Sequence, residues 1–393
     1  MQEEISGSSL RFSLGRQPQL VSGAGSVAGL GARLNADGHQ RVALVTGGRS
    51  IRGREQWAQT VDDLLDRGID FIDFTVRGEP SPDVVDQTVV QLRQDLPDCS
   101  AVVALGGGSV IDAAKATAAL LSHHGEETQY GVERYLEGVG DRKPPGTSVP
   151  VFAVPSTAGT GSEATKNAVI SRTGDPGFKK SLRHDNYVPR VVFLDPELHH
   201  GAPESVTRAS GLDAITQLLE ALVSTKANPV IDGLALQGLV LAGAALPALM
   251  AGQDSVEARH RMALAAYLSG VALANVGLGV VHGLASPIGA ARDIPHGVVC
   301  GLLVGPATER ILARVAHDHP GRRRYERAAD ALGVSGTAEL IEWLGELAEP
   351  LGRLSDYGFR STEISGLAAR GGNKNSPGEL TEQDRQAILQ AVV

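Results

Sequence analysis

The sequence predicts a two-part chain in which an α/β half is followed by an all-α half. Short apolar runs rich in β-branched residues alternate with helical patterns up to residue 195, whereas Ala, Leu and Gly at helical spacing dominate from residue 205 onward. Strands that alternate with helices form right-handed βαβ units and hence a parallel sheet. The chain has 393 residues, more than one ordinary domain. We therefore expect two domains, residues 1–196 and residues 197–393.

Five apolar runs are predicted to form the strands of this sheet. They are Arg41–Thr46, Phe71–Val76, Ala101–Leu105, Val149–Val154 and Val191–Leu194. The apolar spacing predicts a helix over residues 110–121 directly after the third strand. In the second half it predicts helices over residues 234–249, 258–273, 307–316 and 337–348. A short final helix is expected over residues 381–392, with Thr381 as its N-cap.

The composition excludes several classes of protein. A net charge of −9, from 45 acidic and 36 basic residues, speaks against a nucleic-acid partner. No apolar run reaches about 18 uninterrupted residues, and the first residues, Met1–Glu4, are polar and acidic, unlike a signal peptide. The two cysteines, Cys99 and Cys300, are too few for a disulfide framework or a thiolate metal site. We therefore expect a cytoplasmic protein that binds neither nucleic acid nor a membrane.

Two loops carry the composition of a phosphate-binding site. Gly106-Gly107-Gly108-Ser109 joins the third strand to its helix, and Pro155–Glu163, rich in hydroxyls, follows the fourth strand. Glycine lets the backbone approach a phosphate closely, and a helix N-terminus offers free N–H groups. The first loop matches neither a dinucleotide nor a P-loop fingerprint, so a tight turn remains an alternative for it. An ordinary polar loop remains the alternative for the second. Both loops lie at carboxyl ends of parallel strands, where α/β sheets bind ligands.

Four polar residues in the helical half could form a metal site. Asp213 and Gln217 are four residues apart and share one face of a helix. His282 and His296 follow far downstream, and each precedes a glycine. Oxygen ligands and two imidazoles can hold a divalent cation. Spacing alone fits hydrogen-bonded histidines equally well. The other nine histidines, including His199, are expected at the surface or in loops.

The ordered motifs resemble those of the iron-containing (group III) alcohol dehydrogenases over roughly residues 11–392. The segments that carry the resemblance are Gly106–Lys115, Pro155–Glu163, Asp195–Leu198, Gly211–Ala214, Asn275–Gly283, Ile294–Gly297 and the stretch from Asn375 to Asp384. The resemblance implies a dehydroquinate-synthase-like fold, with an N-terminal nucleotide-binding parallel-sheet domain, a C-terminal helical domain and the active site between them. It also implies reversible, metal-assisted reduction of an aldehyde or ketone to an alcohol by NAD(P)H. A homodimer or higher homo-oligomer is the corresponding expectation.

The resemblance also implies the metal ligands and the catalytic residues. The expected ligands are Asp213, Gln217, His282 and His296, of which Asp213, His282 and His296 are expected to be catalytic. Gln217 stands where the family has a histidine. The implied metal is Fe²⁺, with Zn²⁺ or Mn²⁺ as alternatives. Ser286 replaces a histidine linked to proton relay in the family, so the proton is expected to come from water or a ribose hydroxyl.

The cofactor contacts carried over from the family lie mainly in the two loops. They are Gly47, Gly107, Gly108, Ser109, Ser156, Thr157, Thr160, Ser162, Asn167 and Lys179. Gly47 stands where the family often has an acidic residue that accepts the adenosine ribose hydroxyls. A carboxylate there would repel a 2′-phosphate, whereas Arg49 and Arg52 follow closely in this chain. NADP(H) is therefore favoured over NAD(H).

Three alternatives remain open at this point. The exchange of His for Gln217 allows a metal-independent reductase of the same family. A sugar-phosphate cyclase-like lyase of the same fold would need a cluster of basic residues, and the chain has only seven lysines. A non-catalytic binding protein would not need the nucleotide loops. No stretch of the sequence identifies the substrate.

Overall fold

The computed structural model describes residues 11–123, 131–174 and 176–393, and its first half is built on one parallel sheet. Six strands pair in the order β1-β8-β5-β4-β2-β3, all parallel. The strands of this sheet are β1 (Gln19–Ser22), β2 (Arg41–Thr46), β3 (Asp70–Thr75), β4 (Ala101–Gly106), β5 (Val151–Pro155) and β8 (Val191–Leu194). The five predicted strands are confirmed to within two residues. The edge strand β1 was not predicted, because its four residues are partly exposed and form no apolar run.

Helices connect these strands and cover the sheet. They are α1 (Leu30–Ala36), α2 (Arg49–Arg52), α3 (Glu55–Asp66), α4 (Pro82–Asp95) and α5 (Gly108–Leu121). The central strands β4 and β5 are buried along their whole length, as expected for a parallel sheet covered on both faces. Helix α5 packs on β4 and β5, so its first turn lies at the carboxyl edge of the sheet.

A two-stranded antiparallel hairpin stands apart from the main sheet. Strands β6 (Asn167–Arg172) and β7 (Phe178–Arg183) pair in register, with Asn167 opposite Arg183. This hairpin was not predicted, because polar residues interrupt both of its strands. The hairpin contacts both halves of the chain: β6 packs against α5, and β7 packs against α9, a helix of the second half.

The second half is helical, as predicted. Its helices are α6 (Glu204–Leu222), α7 (Pro229–Met250), α8 (Val256–Val276), α9 (Val280–Ala291), α10 (His296–Arg314), α11 (Pro320–Leu332), α12 (Gly336–Ala348), α13 (Ile364–Arg370) and α14 (Glu382–Gln390). The buried helix α6 packs against α7, α8 and α10 and forms the centre of this half. Thr381 caps α14 as predicted, since its hydroxyl accepts a hydrogen bond from the Asp384 backbone N–H. The run predicted over residues 307–316 is the second half of the longer helix α10.

Helix α7 is long and apolar enough, on length and composition alone, to cross a membrane. Within its most apolar window, 39% of the residues are buried, and the helix packs against α6, α8 and α11. Helices α8 and α9 pass the same test only as a pair, and the chain bends by 100° between them. This bend at residues 277–279 directs the first turn of α9 toward α6 and α10.

Candidate active site

A cavity of about 920 Å³ lies between the carboxyl edge of the sheet and the helical half. Most of the predicted site residues line it: Gly107, Gly108, Ser109, Thr157, Thr160, Ser162, Asn167, Lys179, Asp213, Gln217, His282 and His296. Two do not. Ser156 lines a much smaller neighbouring space of about 10 Å³, and Gly47 lies beside Val110 at the end of β2.

The glycine-rich loop (Gly106–Ser109) and the hydroxyl-rich loop (Pro155–Glu163) touch each other at the first turn of α5. A Cβ atom added to Gly108 would lie 2.4 Å from Oγ1 of Thr160, and one added to Gly107 would lie 3.0 Å from Oγ1 of Thr157. Glycine is therefore required here by close packing. Gly107 has an ordinary φ of −76°, so no left-handed conformation is involved. The unpaired N–H groups of the first turn of α5 and the two threonine hydroxyls form a cradle of donors suited to a pyrophosphate.

Lys115 holds the two loops together from inside the protein. Its side chain is fully buried, and Nζ donates to Ser162 O at 2.9 Å, Ser162 Oγ at 2.7 Å and Thr165 Oγ1 at 3.2 Å. The same ammonium pairs with Asp112 Oδ1 at 3.0 Å. Because three oxygens and one carboxylate satisfy this buried charge, Lys115 fixes the hydroxyl-rich loop against α5.

Across the cavity, three helices bring four metal-binding side chains together. Asp213 comes from α6, His282 from the first turn of α9, and His296 and Cys300 from the first two turns of α10. Nε2 of His282 lies 3.4 Å from Oδ1 of Asp213, and Nε2 of His296 lies 3.9 Å from the same oxygen. Sγ of Cys300 lies 3.6 Å from both Nε2 atoms. All four ligand atoms lie within 4.8 Å of one another.

The glycines that follow the two histidines allow this convergence. A Cβ atom on Gly297 would lie 2.3 Å from the carbonyl oxygen of Ala209, and one on Gly283 would lie 1.7 Å from that of Gly372. No side chain fits at either position. The close approach brings the start of α10 onto α6 and the start of α9 onto the loop after α13. Gly283 and Gly297 are therefore required for the helix packing that brings His282 and His296 together.

Glu220 orients the ring of His282 through its Nδ1 atom, on the side away from the cluster. Its Oε2 atom accepts a hydrogen bond of 2.7 Å from Nδ1 of His282, and Oε1 accepts one of 2.7 Å from the backbone N–H of Val281. The carboxylate is 5% exposed. With Nδ1 donating to Glu220, Nε2 of His282 faces the cluster, and a carboxylate behind the ring is the arrangement found at metal-binding histidines.

Gln217 lies on the cavity wall but is engaged elsewhere. Its Oε1 atom accepts a hydrogen bond of 2.7 Å from Oγ of Ser269, on α8. Both side chains are buried. Among the described residues, the Gln217 amide makes no hydrogen bond with any side chain of the cluster. Of the four expected ligands, the structure brings Asp213, His282 and His296 together, with Cys300 beside them, while the oxygen of Gln217 bonds to Ser269 on α8.

The cluster favours an ionised Asp213. Although burial opposes ionisation, the imidazoles of His296 and His282 lower the pKa of Asp213 to about 2. Burial lowers the pKa of His296 to about 4, assisted by the ammonium of Lys179. Burial raises the pKa of the Cys300 thiol to about 12. At neutral pH the site thus offers one carboxylate and at least one neutral imidazole to a cation.

Lys179 and Glu79 form a half-buried ion pair on the cavity wall. The Lys179 ammonium binds a Glu79 carboxylate oxygen, and the Ser171 hydroxyl donates to the other oxygen at 2.5 Å. Burial favours the protonated acid, yet the ammonium of Lys179 holds the pKa of Glu79 below its usual value. Lys179, predicted as a cofactor contact, therefore reaches the cavity with its charge already partnered.

Sequence reasoning missed three residues that line or support the site. Cys300 follows His296 by four residues and Glu220 follows Asp213 by seven, so helical periodicity could have found both. Lys374 lines the cavity from the loop after α13, and no pattern in the sequence marks it. His199 lies in a loop, as expected, and is 2% exposed, so that burial lowers its pKa to about 4.

Comparison with known proteins agrees with this architecture. The family described as "Iron-containing alcohol dehydrogenase" matches residues 17–196, and "Fe-containing alcohol dehydrogenase family, C-terminal" matches residues 207–393. The chain is 34% identical over 295 residues to the probable alcohol dehydrogenase EutG of Escherichia coli, covering 74% of this chain and 71% of that protein. It is 33% identical over 302 residues to the NAD-dependent methanol dehydrogenase of Bacillus methanolicus, covering 75% and 76%.

A solved structure matches the whole fold. The alcohol dehydrogenase from Oenococcus oeni superposes with a TM-score of 0.84 at 28% identity, covering 98% of this chain and 100% of that one. The family matches and the shared fold identify an oxidoreductase that interconverts alcohols and carbonyl compounds with a nicotinamide cofactor. The chain belongs to the iron-containing alcohol dehydrogenase family.

Proposed function

We propose that this enzyme reduces a small aldehyde or ketone reversibly to the alcohol, with NADPH favoured and a divalent metal assisting. The proposal rests on one observation: the residues expected to bind the cofactor and those expected to bind the metal line the same cavity. The glycine-rich loop lines one side of it, and Asp213, His282 and His296 line the other. A hydride donor bound at the loop and a carbonyl held at the cluster would share this space.

The residues of the cluster fit a metal ion. Oδ1 of Asp213 is buried and has no hydrogen-bond partner among the described residues, which is costly unless a cation or proton satisfies it. Two imidazole nitrogens lie within 4 Å of that oxygen. Asp213, His282 and His296 would hold the ion, which when bound polarises the carbonyl oxygen as a Lewis acid. Fe²⁺ is proposed from the family, with Zn²⁺ and Mn²⁺ as alternatives, and Gln217 remains the fourth ligand suggested by the sequence.

The protein itself favours charge on the reacting oxygen. His282 lies in the first turn of α9 and His296 in the first turn of α10, so the positive ends of two helix dipoles point toward the cluster. Ser286 lines the cavity, but its hydroxyl donates to the backbone oxygen of His282 at 3.3 Å. The proton for the alcohol is therefore proposed to come from water or from a ribose hydroxyl of the cofactor.

The cofactor preference is proposed from the end of β2. Gly47 and Gly48 place no carboxylate there, and Arg49 is exposed. Arg52 lies close by, where its guanidinium pairs with Asp73 and stacks 5.4 Å from the ring centre of Trp57. A 2′-phosphate bound here would meet the exposed Arg49 and would share Arg52 with Asp73. These charges support acceptance and preference of NADPH.

The setting of the enzyme is proposed on more general grounds. A homodimer or higher homo-oligomer agrees with the exposed valines of the apolar helix α7, Val230 and Val240. A cytoplasmic location agrees with two buried, unpaired cysteines. The division into domains at residue 196 likewise stays a prediction.

The proposal is tested by carbonyl reduction with purified protein. Consumption of NADPH and NADH is measured with a panel of small aldehydes and ketones, for the wild type and for His296→Ala. The exposed His317→Ala provides a matched control, since His317 lies after α10 and away from the cavity. We expect loss of turnover in His296→Ala alone. Equal turnover in all three proteins would contradict the proposed site.

A further inference from the structure

We propose that Cys300, rather than Gln217, is the fourth metal ligand, so that the site is an Asp-His-His-Cys centre of the zinc type. This inference rests on the proposed metal-assisted function and concerns the ligands of that same site.

The distances between the four side chains match a tetrahedral centre. Metal–ligand bonds of about 2.0 Å to nitrogen and oxygen and about 2.3 Å to sulfur place neighbouring ligand atoms about 3.3 to 3.6 Å apart. In this structure the Cys300 sulfur lies 3.6 Å from each imidazole Nε2, and His282 Nε2 lies 3.4 Å from Asp213 Oδ1. The pair His296–Asp213 is wider, at 3.9 Å, and all four ligand atoms lie within 4.8 Å of one another. These distances are therefore compatible with a tetrahedral centre in which Cys300 joins the other three ligands.

The two candidates for the fourth ligand, Cys300 and Gln217, differ in their surroundings. Cys300 is fully buried at the centre of the cluster, and a buried thiol beside two imidazoles and a carboxylate is poorly accounted for by packing alone. Gln217 instead has its oxygen bonded to Ser269 on α8. Cation binding would displace the Cys300 proton to solvent and leave a thiolate, as for any coordinating thiol. A thiolate is a soft ligand that suits Zn²⁺ better than an amide oxygen does.

The test uses cobalt as a spectroscopic substitute for zinc. Metal-depleted wild type, Cys300→Ser and Cys99→Ser are titrated with Co²⁺, which shows a sulfur-to-metal charge-transfer absorption in the near ultraviolet only when a thiolate binds it. Cys99 is the matched control, because it is also buried but lies in the first half of the chain. We expect this absorption in wild type and Cys99→Ser, and we expect Cys300→Ser to bind Co²⁺ without it. Gln217→Ala should retain it.

The outcomes separate this inference from the proposed function. Bound Co²⁺ in wild type without the charge-transfer absorption, or an absorption that persists in Cys300→Ser, overturns the Cys300 ligand and leaves a metal-assisted enzyme. Failure of wild type to bind any Co²⁺ overturns both. If Cys300→Ser folds poorly, a measurement on the wild type alone replaces it. X-ray absorption of the zinc-loaded wild type should show one sulfur neighbour of the metal at about 2.3 Å. Absence of that sulfur would contradict the inference.

A different observation, independent of the metal, points to the substrate. Lys374 has a φ of +47° and is the one non-glycine residue with positive φ among the described parts of the chain. Such strain persists where the surrounding structure imposes it, often at functional sites. This strained residue lines the cavity. Within the described residues Lys374 makes no ion pair.

The charges around Lys374 leave its ammonium available to a ligand. Glu220, a carboxylate that interacts with it, is committed through both oxygens to His282 and Val281. Arg183, on β7, lines the same cavity and adds a second positive charge, although its guanidinium lies 3.4 Å from Glu137. We therefore infer that the substrate is a small aldehyde or ketone that carries an acidic group, which Lys374 binds while the carbonyl lies at the metal cluster.

Two aldehydes of the same length test this second inference. The ratio of kcat/KM for 4-oxobutanoate to that for butanal is measured in wild type, Lys374→Met and the exposed control Lys143→Met. We expect a ratio well above one in wild type, a fall of at least about tenfold in Lys374→Met, and no change in the control. A wild-type preference for butanal, or an unchanged ratio in Lys374→Met, would overturn the acidic substrate. Failure to reduce either compound, or any other in the carbonyl panel, would instead count against the proposed function.

Discussion

The carboxylate of Glu220 lies 2.7 Å from Nδ1 of His282, on the side of the imidazole that faces away from the metal-binding cluster. This contact fixes both the tautomer and the orientation of the ring, so that Nε2 points at Asp213, 3.4 Å away. The same carboxylate holds the backbone N–H of Val281 at the start of α9. Glu220 is therefore a positioning residue that joins the geometry of the site to the packing of two helices.

Replacement of Glu220 should weaken metal binding without removing a ligand. Glu220→Gln keeps the size of the side chain but loses the charge that supports the Nδ1–H of His282. We expect the metal affinity to fall by about 10- to 100-fold, measured by competition with a chelator. Glu346→Gln, on the exposed face of α12, is the control and should bind metal like the wild type. Unchanged affinity in Glu220→Gln would show that His282 does not need this partner.

A side chain at Gly108 should block the cofactor. Its Cβ atom would meet Thr160 at 2.4 Å, and the rest of a valine would occupy the space before the first turn of α5. We expect Gly108→Val to lose measurable binding of NADPH and NADH in fluorescence titrations. Gly345→Val is the control, because a Cβ atom there meets nothing within 4 Å. Normal cofactor binding in a folded Gly108→Val would contradict the placement of the pyrophosphate, and thermal unfolding shows whether the variant is folded.

The cofactor preference should follow the arginines after β2. We expect wild type to bind NADPH more tightly than NADH, and Arg49→Ala with Arg52→Ala to reduce this advantage by roughly tenfold, about 1.4 kcal/mol. The variant Arg261→Ala removes an exposed arginine that pairs with Glu257 on α8, so it should leave the ratio unchanged. Dissociation constants from titration decide the matter. A wild-type Kd for NADPH more than ten times that for NADH would refute the proposal.

The pH dependence of stability should reveal the buried acid of the hydroxyl-rich loop. Burial raises the pKa of Glu163 to about 7, from an ordinary value of 4.5. Because the pKa of Glu163 is higher in the folded protein than in the unfolded chain, the protonated side chain favours the fold at pH values below the unfolded pKa of 4.5. This contribution to stability is lost as the pH rises through about 7. Ionising Glu163 in the folded protein therefore costs roughly 3 kcal/mol relative to the unfolded chain.

Glu163→Gln removes this cost, so its thermal midpoint should rise relative to wild type between pH 5 and pH 8. The exposed Glu342→Gln serves as the control and should follow the wild type at both pH values. A difference between Glu163→Gln and wild type that is the same at both pH values would mean that Glu163 titrates as an ordinary carboxyl.

Much of the fold was predictable because its signals are local. The buried strands β2, β4 and β8 are continuous apolar runs, and Thr381 precedes the final helix with the pattern of an N-cap. The hairpin of β6 and β7 gave no such signal. Polar residues interrupt both strands, and Asn167, Lys179 and Ser181 among them line the cavity, so neither strand is a continuous apolar run.

The site was predictable only where a residue carries its own chemistry. Asp213, His282 and His296 were found from residue type and resemblance, and the cluster contains all three. Cys300 was set aside because two cysteines cannot form a thiolate centre by themselves. That reasoning counted cysteines alone, whereas the structure combines one cysteine with other ligand types. Gln217 was included by its place in the motif, but its bond to Ser269 depends on the packing of α8, which spacing along one helix does not show.

The central claim is that Asp213 and its neighbours hold a metal ion that the reaction requires. The most direct measurement is the metal content and the NADPH-dependent reduction rate of one preparation, before and after exhaustive chelation and after return of Fe²⁺ or Zn²⁺. Asp213→Ala, which removes the buried carboxylate of the cluster, is measured alongside. We predict one metal ion per chain, loss of turnover on chelation, recovery on return of metal, and neither metal nor turnover in Asp213→Ala. Full turnover by wild-type protein that contains no detectable metal would contradict the account.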